Sequence, residues 1–98
     1  NTAGADKDTK FISDFKSAYY LRIMVEDRAG ILAKIAAIFG RNNVSIVEMI
    51  QKPIGIDGRV PLVLITHETR ELAVRSAVAK INALEGVGHV ETVLRVIS

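Results

Sequence analysis

The residues best placed to do chemistry lie in one run, Glu26-Asp27-Arg28-Ala29-Gly30-Ile31-Leu32. A short acidic loop there meets the start of an amphipathic pattern. The backbone N–H groups of Gly30, Ile31 and Leu32 are then left over at a helix N-terminus and can take an anion such as a carboxylate. Asp27 beside them can hold an ammonium or a hydroxyl, so both ends of a free amino acid could be met at this corner. The plainer reading is that Asp27 only caps its own helix and Gly30 only relieves crowding against the next strand. The residue types alone leave both readings open.

Other chemistries lack their parts. There is no cysteine, which removes thiolate nucleophiles, disulfides and Cys-based metal sites, and fits a reducing cytoplasm. His67 and His89 are the two histidines, they fall at element ends, and no Glu/His pattern at ligand spacing stands near them. Glu26 and Asp27 are adjacent at a strand end and point in opposite directions, so they would not share a proton. The pattern G-x-G-x-x-G is absent, and Gly86-Val87-Gly88 precedes a strand where a phosphate loop would precede a helix. No catalytic residue and no metal ligand is assigned.

Thirteen Lys and Arg against eleven Asp and Glu leave a net charge of +2, so the basic balance does not amount to a stripe suited to nucleic acid. The strand Val60-Pro61-Leu62-Val63-Leu64-Ile65 carries no aromatic on which an RNA base could stack. The longest uncharged apolar stretches, 35–40 and 60–66, fall far short of the ~20 residues of a membrane span. Ninety-eight residues make one small domain, and 49% apolar content supports a packed core. A chain that opens on Asn1 reads as a piece of something longer, and no signal-peptide pattern is present.

The corner needs elements to hold it. Residues 1–18 read as a tail or linker, with the option of a helical turn from Ile12 to Ser17 that places Phe11 and Phe15 on one face. Tyr19, Leu21, Ile23 and Val25 alternate as strand 1. Ile31, Leu32, Ile35, Ile38 and Phe39 recur as one stripe of helix 1, which Gly40 and Asn42-Asn43 end. Val44 to Lys52 is strand 2; Val44 and Ile46 fall on one face and Val47 and Met49 on the other, which leaves its inward register open, a bulge being one way to shift it. Asp57-Gly58 is hairpin chemistry leading into strand 3, Arg59 to Thr66, where Pro61 belongs near the start or at a bulge.

Glu68 to Glu85 forms helix 2, with Val74, Ala77, Val78, Ile81 and Leu84 inward, and Val90, Thr92, Leu94 and Val96 alternate as strand 4. The order β-α-β-β-α-β gives an α+β, ferredoxin-like fold: a four-stranded antiparallel sheet with both helices on one face. The other face, with Tyr20, Arg22 and Met24, meets water or a partner.

Tyr19-Tyr20-Leu21-Arg22 running through Asp27-Arg28-Ala29-Gly30-Ile31-Leu32 to Ala36 resembles the first strand, loop and helix of an ACT domain. Val44-Ser45-Ile46, Ile50-Gln51-Lys52, Val60-Pro61-Leu62-Val63 and Thr66-His67-Glu68 continue the resemblance, which is narrowest to the ACT domains that end bacterial homoserine dehydrogenases. It spans roughly 19–97, so residues 19–98 are taken as the regulatory domain. Ala29 and Asn43 stand where the family often has Pro and Gly.

The resemblance implies an amino-acid effector, threonine first, held between two copies of the domain by Asp27, Ala29, Gly30 and Ile31 of one and Asn43 and Ser45 of the other. It also implies a cytoplasmic homo-oligomer, at least a dimer, joined through helix 1 and the edge of strand 2. No cofactor is expected in this chain, and NAD(P) belongs to a catalytic part outside it, with a dinucleotide-binding βαβ unit upstream of Asn1. A dimerisation module without a working ligand site is the alternative. A small phosphatase of the same topology, with Arg28 and Asn43 around an anion, is the third reading, and the resemblance argues against it.

Overall fold

A computed structural model describes residues 15–97. Strand β1 (Lys16–Glu26) is followed by α1 (Ile31–Arg41), β2 (Ile46–Gln51), β3 (Arg59–Thr66), a two-residue β4 (Thr69–Arg70), α2 (Glu71–Ala83) and β5 (Gly88–Val96). The sheet is antiparallel, with β1 bonded to β3 on one side and to β5 on the other, and β2 outside β3. This is the expected split βαβ arrangement with one short strand added.

The alternation in β1 is obeyed residue by residue. Tyr19, Leu21, Ile23 and Val25 are buried beneath the helices with Leu62 and Leu64 of β3, and Ile31, Ile35, Ile38 and Phe39 of α1 close the core with Val74, Ala77 and Ile81 of α2. Each of these aliphatic side chains contributes on the order of 2 kcal/mol by leaving water. Tyr20, Arg22 and Met24 lie on the open face and are half-buried by their neighbours in the sheet.

Two turns frame the ends of α1. Asp57 and Gly58 have φ of 54° and 75°, and Ile56 and Arg59 exchange both backbone bonds, at 2.8 and 3.0 Å. This is a two-residue hairpin turn of the type whose twist matches the strands. At the end of α1, Asn43 takes φ of 61° while Val44 N–H reaches the Phe39 carbonyl at 2.9 Å and Asn43 N–H that of Gly40 at 3.1 Å. That bond pair satisfies the last carbonyls of the helix, and Asn fills the left-handed position Gly would otherwise take. Gly40 itself lies inside the helix.

The open register of β2 is resolved by a bulge: Ile46 pairs with Thr66 but Glu48 with Ile65, so Val47 is the extra residue and is exposed. Pro61 pairs with Met24, and its carbonyl accepts from Lys52 N–H at 2.8 Å. The N and O of a strand residue face the same neighbour, so its missing donor faces the place where β2 has ended.

Several expectations are corrected. Strand β1 starts at Lys16, not Tyr19, because Lys16 and Ser17 pair with Arg70 and Thr69 and Ala18 pairs with Val96. The tail boundary at residue 18 and the helical turn ending at Ser17 fail for those residues, and 1–14 lie outside the described part. Helix α2 begins at Glu71, not Glu68, because Thr69 and Arg70 are extended in β4. Leu84 is not inward: it is the extended residue that ends α2 and is exposed. Leu32 of α1 is also exposed. In β5 the expected single face is split, since Ile23 pairs with Val90 but Arg22 with Thr92, leaving Glu91 as the extra residue. Val90 therefore faces the helices, while Thr92, Leu94 and Val96 share the open face.

Candidate functional site

The loop from Asp27 to Gly30 joins the central strand to α1 and is held from three sides. Asp27 N–H donates to the Gly58 carbonyl at 3.2 Å, which ties the loop to the hairpin turn. Arg28 donates from Nη2 to the Gly86 carbonyl at 2.6 Å and from Nε to Glu26 Oε1 at 3.0 Å, tying it to the α2–β5 turn. The Glu26–Arg28 pair is exposed and contributes at most about 1 kcal/mol, so its role is to aim the guanidinium. Gly30, at φ 87°, then turns the chain into α1.

The side chain of Asp27 does not cap this helix, and no other side chain does. It accepts instead from Gln51 Nε2, at 3.4 Å, across from the end of β2. The amide ladder is only partly open. Ile31 N–H is directed to the Arg28 carbonyl at 3.4 Å, and Lys34 N–H makes the first regular helical bond, to Gly30. The N–H groups of Gly30 and Leu32 have no partner among the described residues. Of the three amides expected to be free, two are. Ile31 offers no side chain, because it is buried in the core.

Asp27, Ala29 and Gly30 are exposed at the start of α1, so the corner is open to solvent. Asn43 and Ser45 are exposed at the other end of the helix. The eleven residues of α1 lie between the two groups, which at 1.5 Å per residue is about 16 Å of helix. The fold of one chain therefore assembles two half-sites and does not bring them together. Asp27 and Arg28 also line an open hollow of about 560 Å³ on the strand side of the loop, with Asp57, Arg59 and His89 around it. Arg59 Nη1 lies 3.3 Å from His89 Nδ1 there.

Gln51 and Gly58 were missed as partners of Asp27. The run Ile50-Gln51-Lys52 carries only a resemblance, and nothing in its spacing says that the β2–β3 hairpin folds its tip onto the β1–α1 loop. Among the described residues no group of three or more His, Cys, Asp or Glu could hold a metal ion, and no helix is long and apolar enough to cross a membrane.

The family model described as ACT domain matches residues 19–86, which takes in most of β1, the loop, α1, the hairpin and α2. The chain belongs to the ACT domain family. The chain is 42% identical over 73 residues to a homoserine dehydrogenase of Pseudomonas aeruginosa, covering 74% of this chain and 17% of that protein. It is 38% identical over 84 residues to the homoserine dehydrogenase of Neisseria gonorrhoeae, covering 86% of this chain and 19% of the relative. A crystal structure of a homoserine dehydrogenase from Thiobacillus denitrificans superposes with a TM-score of 0.73 at 39% identity, over 86% of this chain and 18% of that one. This ACT domain thus spans about a fifth of the length of the relatives it matches.

Proposed function

We propose that this ACT domain is the effector-sensing part of a homoserine dehydrogenase, and that it holds a free amino acid, threonine first, between two copies of itself. The observation that carries the reading is the division of the site: Asp27, Gly30 and the open Leu32 amide at one end of α1, Asn43 and Ser45 at the other. A twofold axis beside α1 would place the first group of one copy against the second group of its partner, and would do so twice. Among the described residues β2 pairs only with β3, so its other edge is open to a second copy. The effector's carboxylate takes the free amides, and its ammonium or hydroxyl takes Asp27.

In this reading oxidoreduction and the NAD(P) cofactor belong to a cytoplasmic catalytic part outside these residues. A ligand that binds the paired state better than the separate one shifts the balance between them, and ~1–3 kcal/mol of coupling gives a five- to hundredfold response. The engagement of Ile31 N–H favours a second reading, a pairing module whose ligand site has closed.

Calorimetric titration of threonine into the chain, with serine, methionine and isoleucine beside it, separates the two. Saturable heat that disappears in Asp27→Ala is expected, together with a dimer in sedimentation. A dimer with no heat from any amino acid supports the second reading, and a monomer at high concentration with and without them refutes both.

A further inference from the structure

A second recognition surface lies away from the loop, where α2 meets the edge strand β5. Glu71, the first residue of α2, has a side chain only 16% exposed. Two guanidinium groups face it: Arg75 Nη2 at 2.6 Å, one turn along the helix, and Arg95 Nη2 at 3.7 Å, from β5. The first is a charge-assisted hydrogen bond, and the second is too long to be one. One carboxylate between two guanidinium groups leaves a positive charge over, and Arg95, which also hydrogen-bonds the Tyr19 hydroxyl, keeps a half-exposed side chain. The buried Tyr19 hydroxyl is the other titratable group here. Burial raises its pKa, as does Glu71, while Arg95 and Arg75 oppose the shift, so the phenol stays neutral.

The rest of the surface is apolar. Val93 sits on the helix-facing side of β5 opposite fully buried Leu21, yet is 42% exposed, because α2 leaves that part of the strand uncovered. Val74, Val78 and Ala79 of α2 form the facing wall of a groove of about 580 Å³. Ligand pockets usually measure about 300–1,000 Å³ and combine apolar walls with a few placed polar groups. All of these residues belong to one chain, and none lies in the β1–α1 loop, in Asn43 or in Ser45.

We propose that this groove is a binding site for a small apolar carboxylate. Its aliphatic chain lies against Val78, Ala79 and Val93, and its carboxylate sits on Arg95, with Arg75 alongside. The excess of one positive charge at the end of an apolar trough specifies the carboxylate. Glu71, nearly buried and bonded to Arg75, offers little to an ammonium. The chemistry is common to aliphatic monocarboxylates, branched 2-oxo acids and apolar amino acids. The site is independent of the proposed effector site at the loop.

The test is an amide-resolved NMR titration of the 98-residue chain with 3-methylbutanoate, 4-methyl-2-oxopentanoate and leucine, and with 3-methylbutan-1-ol as the carboxylate-free control. Saturable shifts confined to α2 and β5 are expected with the first two acids. Arg95→Gln should weaken them roughly tenfold, the loss of one charge-assisted contact, whereas Asp27→Ala should leave them unchanged. Val78→Glu, which places a like charge in the trough, should abolish them in a chain whose remaining spectrum is intact. The proposal is overturned if neither acid saturates, if the alcohol binds as well as 3-methylbutanoate, or if Arg95→Gln binds as the parent does. Binding by leucine alone would also overturn it, since the ammonium would then be the recognised group.

Discussion

Gly30→Ala isolates one energetic term, because the space for the added methyl is already there. Gly30 holds φ at 87°, and a Cβ built on it meets nothing within 4 Å. No packing loss or clash enters, so the cost is the strain of an L-residue in a left-handed conformation, about 1–2 kcal/mol. The alanine also stiffens the unfolded chain, which returns about 0.4–1 kcal/mol. The net loss expected is about 1 kcal/mol, or roughly 4–8 °C in Tm for a domain of this size. Gly30→Asn should lose less, since Asn tolerates this region, as Asn43 does at φ 61°. Urea unfolding followed by circular dichroism measures all three chains with a common m-value. An alanine variant within about 0.2 kcal/mol of the parent would refute the strained turn. A loss above about 3 kcal/mol would mean that the methyl meets something, and the open corner would be wrong. Under the proposed function, a turn relaxed by alanine should also weaken threonine binding, because it would re-aim the Gly30 N–H, which has no partner among the described residues.

Two further outcomes follow from contacts elsewhere. Asn42 donates to the Ile38 carbonyl at 2.7 Å and accepts from Ser76 Oγ at 2.8 Å and Lys80 Nζ at 3.0 Å; Asn42→Ala should destabilise by about 2 kcal/mol in urea unfolding and loosen the end of α1 that carries Asn43. The pKa of Tyr19 is raised from 10.0 by burial and then by Glu71. The folded state therefore keeps its proton where the unfolded state has begun to lose it, and this contribution to stability is complete below pH 10 and falls as pH rises above it. Tyr19→Phe should flatten that fall in a series of unfolding curves from pH 8 upward, and an unchanged slope would contradict the burial of the hydroxyl.

What was legible in the sequence was local. The β1 alternation, the Asp57-Gly58 turn, the bulge in β2 and the left-handed Asn43 each depend on a residue's own propensity and its near neighbours. What was not legible depended on partners. Thr69 and Arg70 are extended because Lys16 and Ser17 lie beside them, and the extra residue at Glu91 moves Val90 to the opposite face from Leu94. Neither pairing leaves a mark in the periodicity of its own segment. The candidate site divides in the same way: the loop and the turn after α1 could be found from residue types, but the contacts of Asp27 with Gln51 and Gly58 arise only when the hairpin closes over it.

Strand β1 is bonded along both sides and runs eleven residues from Lys16 to Glu26, about 36 Å of extended backbone. Its far end is the loop that carries Asp27. A tug on its first residue along the strand axis would have to shear two ladders at once instead of peeling one bond after another, so the strand would slide very little before the whole sheet moved with it. Mechanically it is a stiff rod, and a displacement imposed at Lys16 would reach the β1–α1 loop through it with almost no slack.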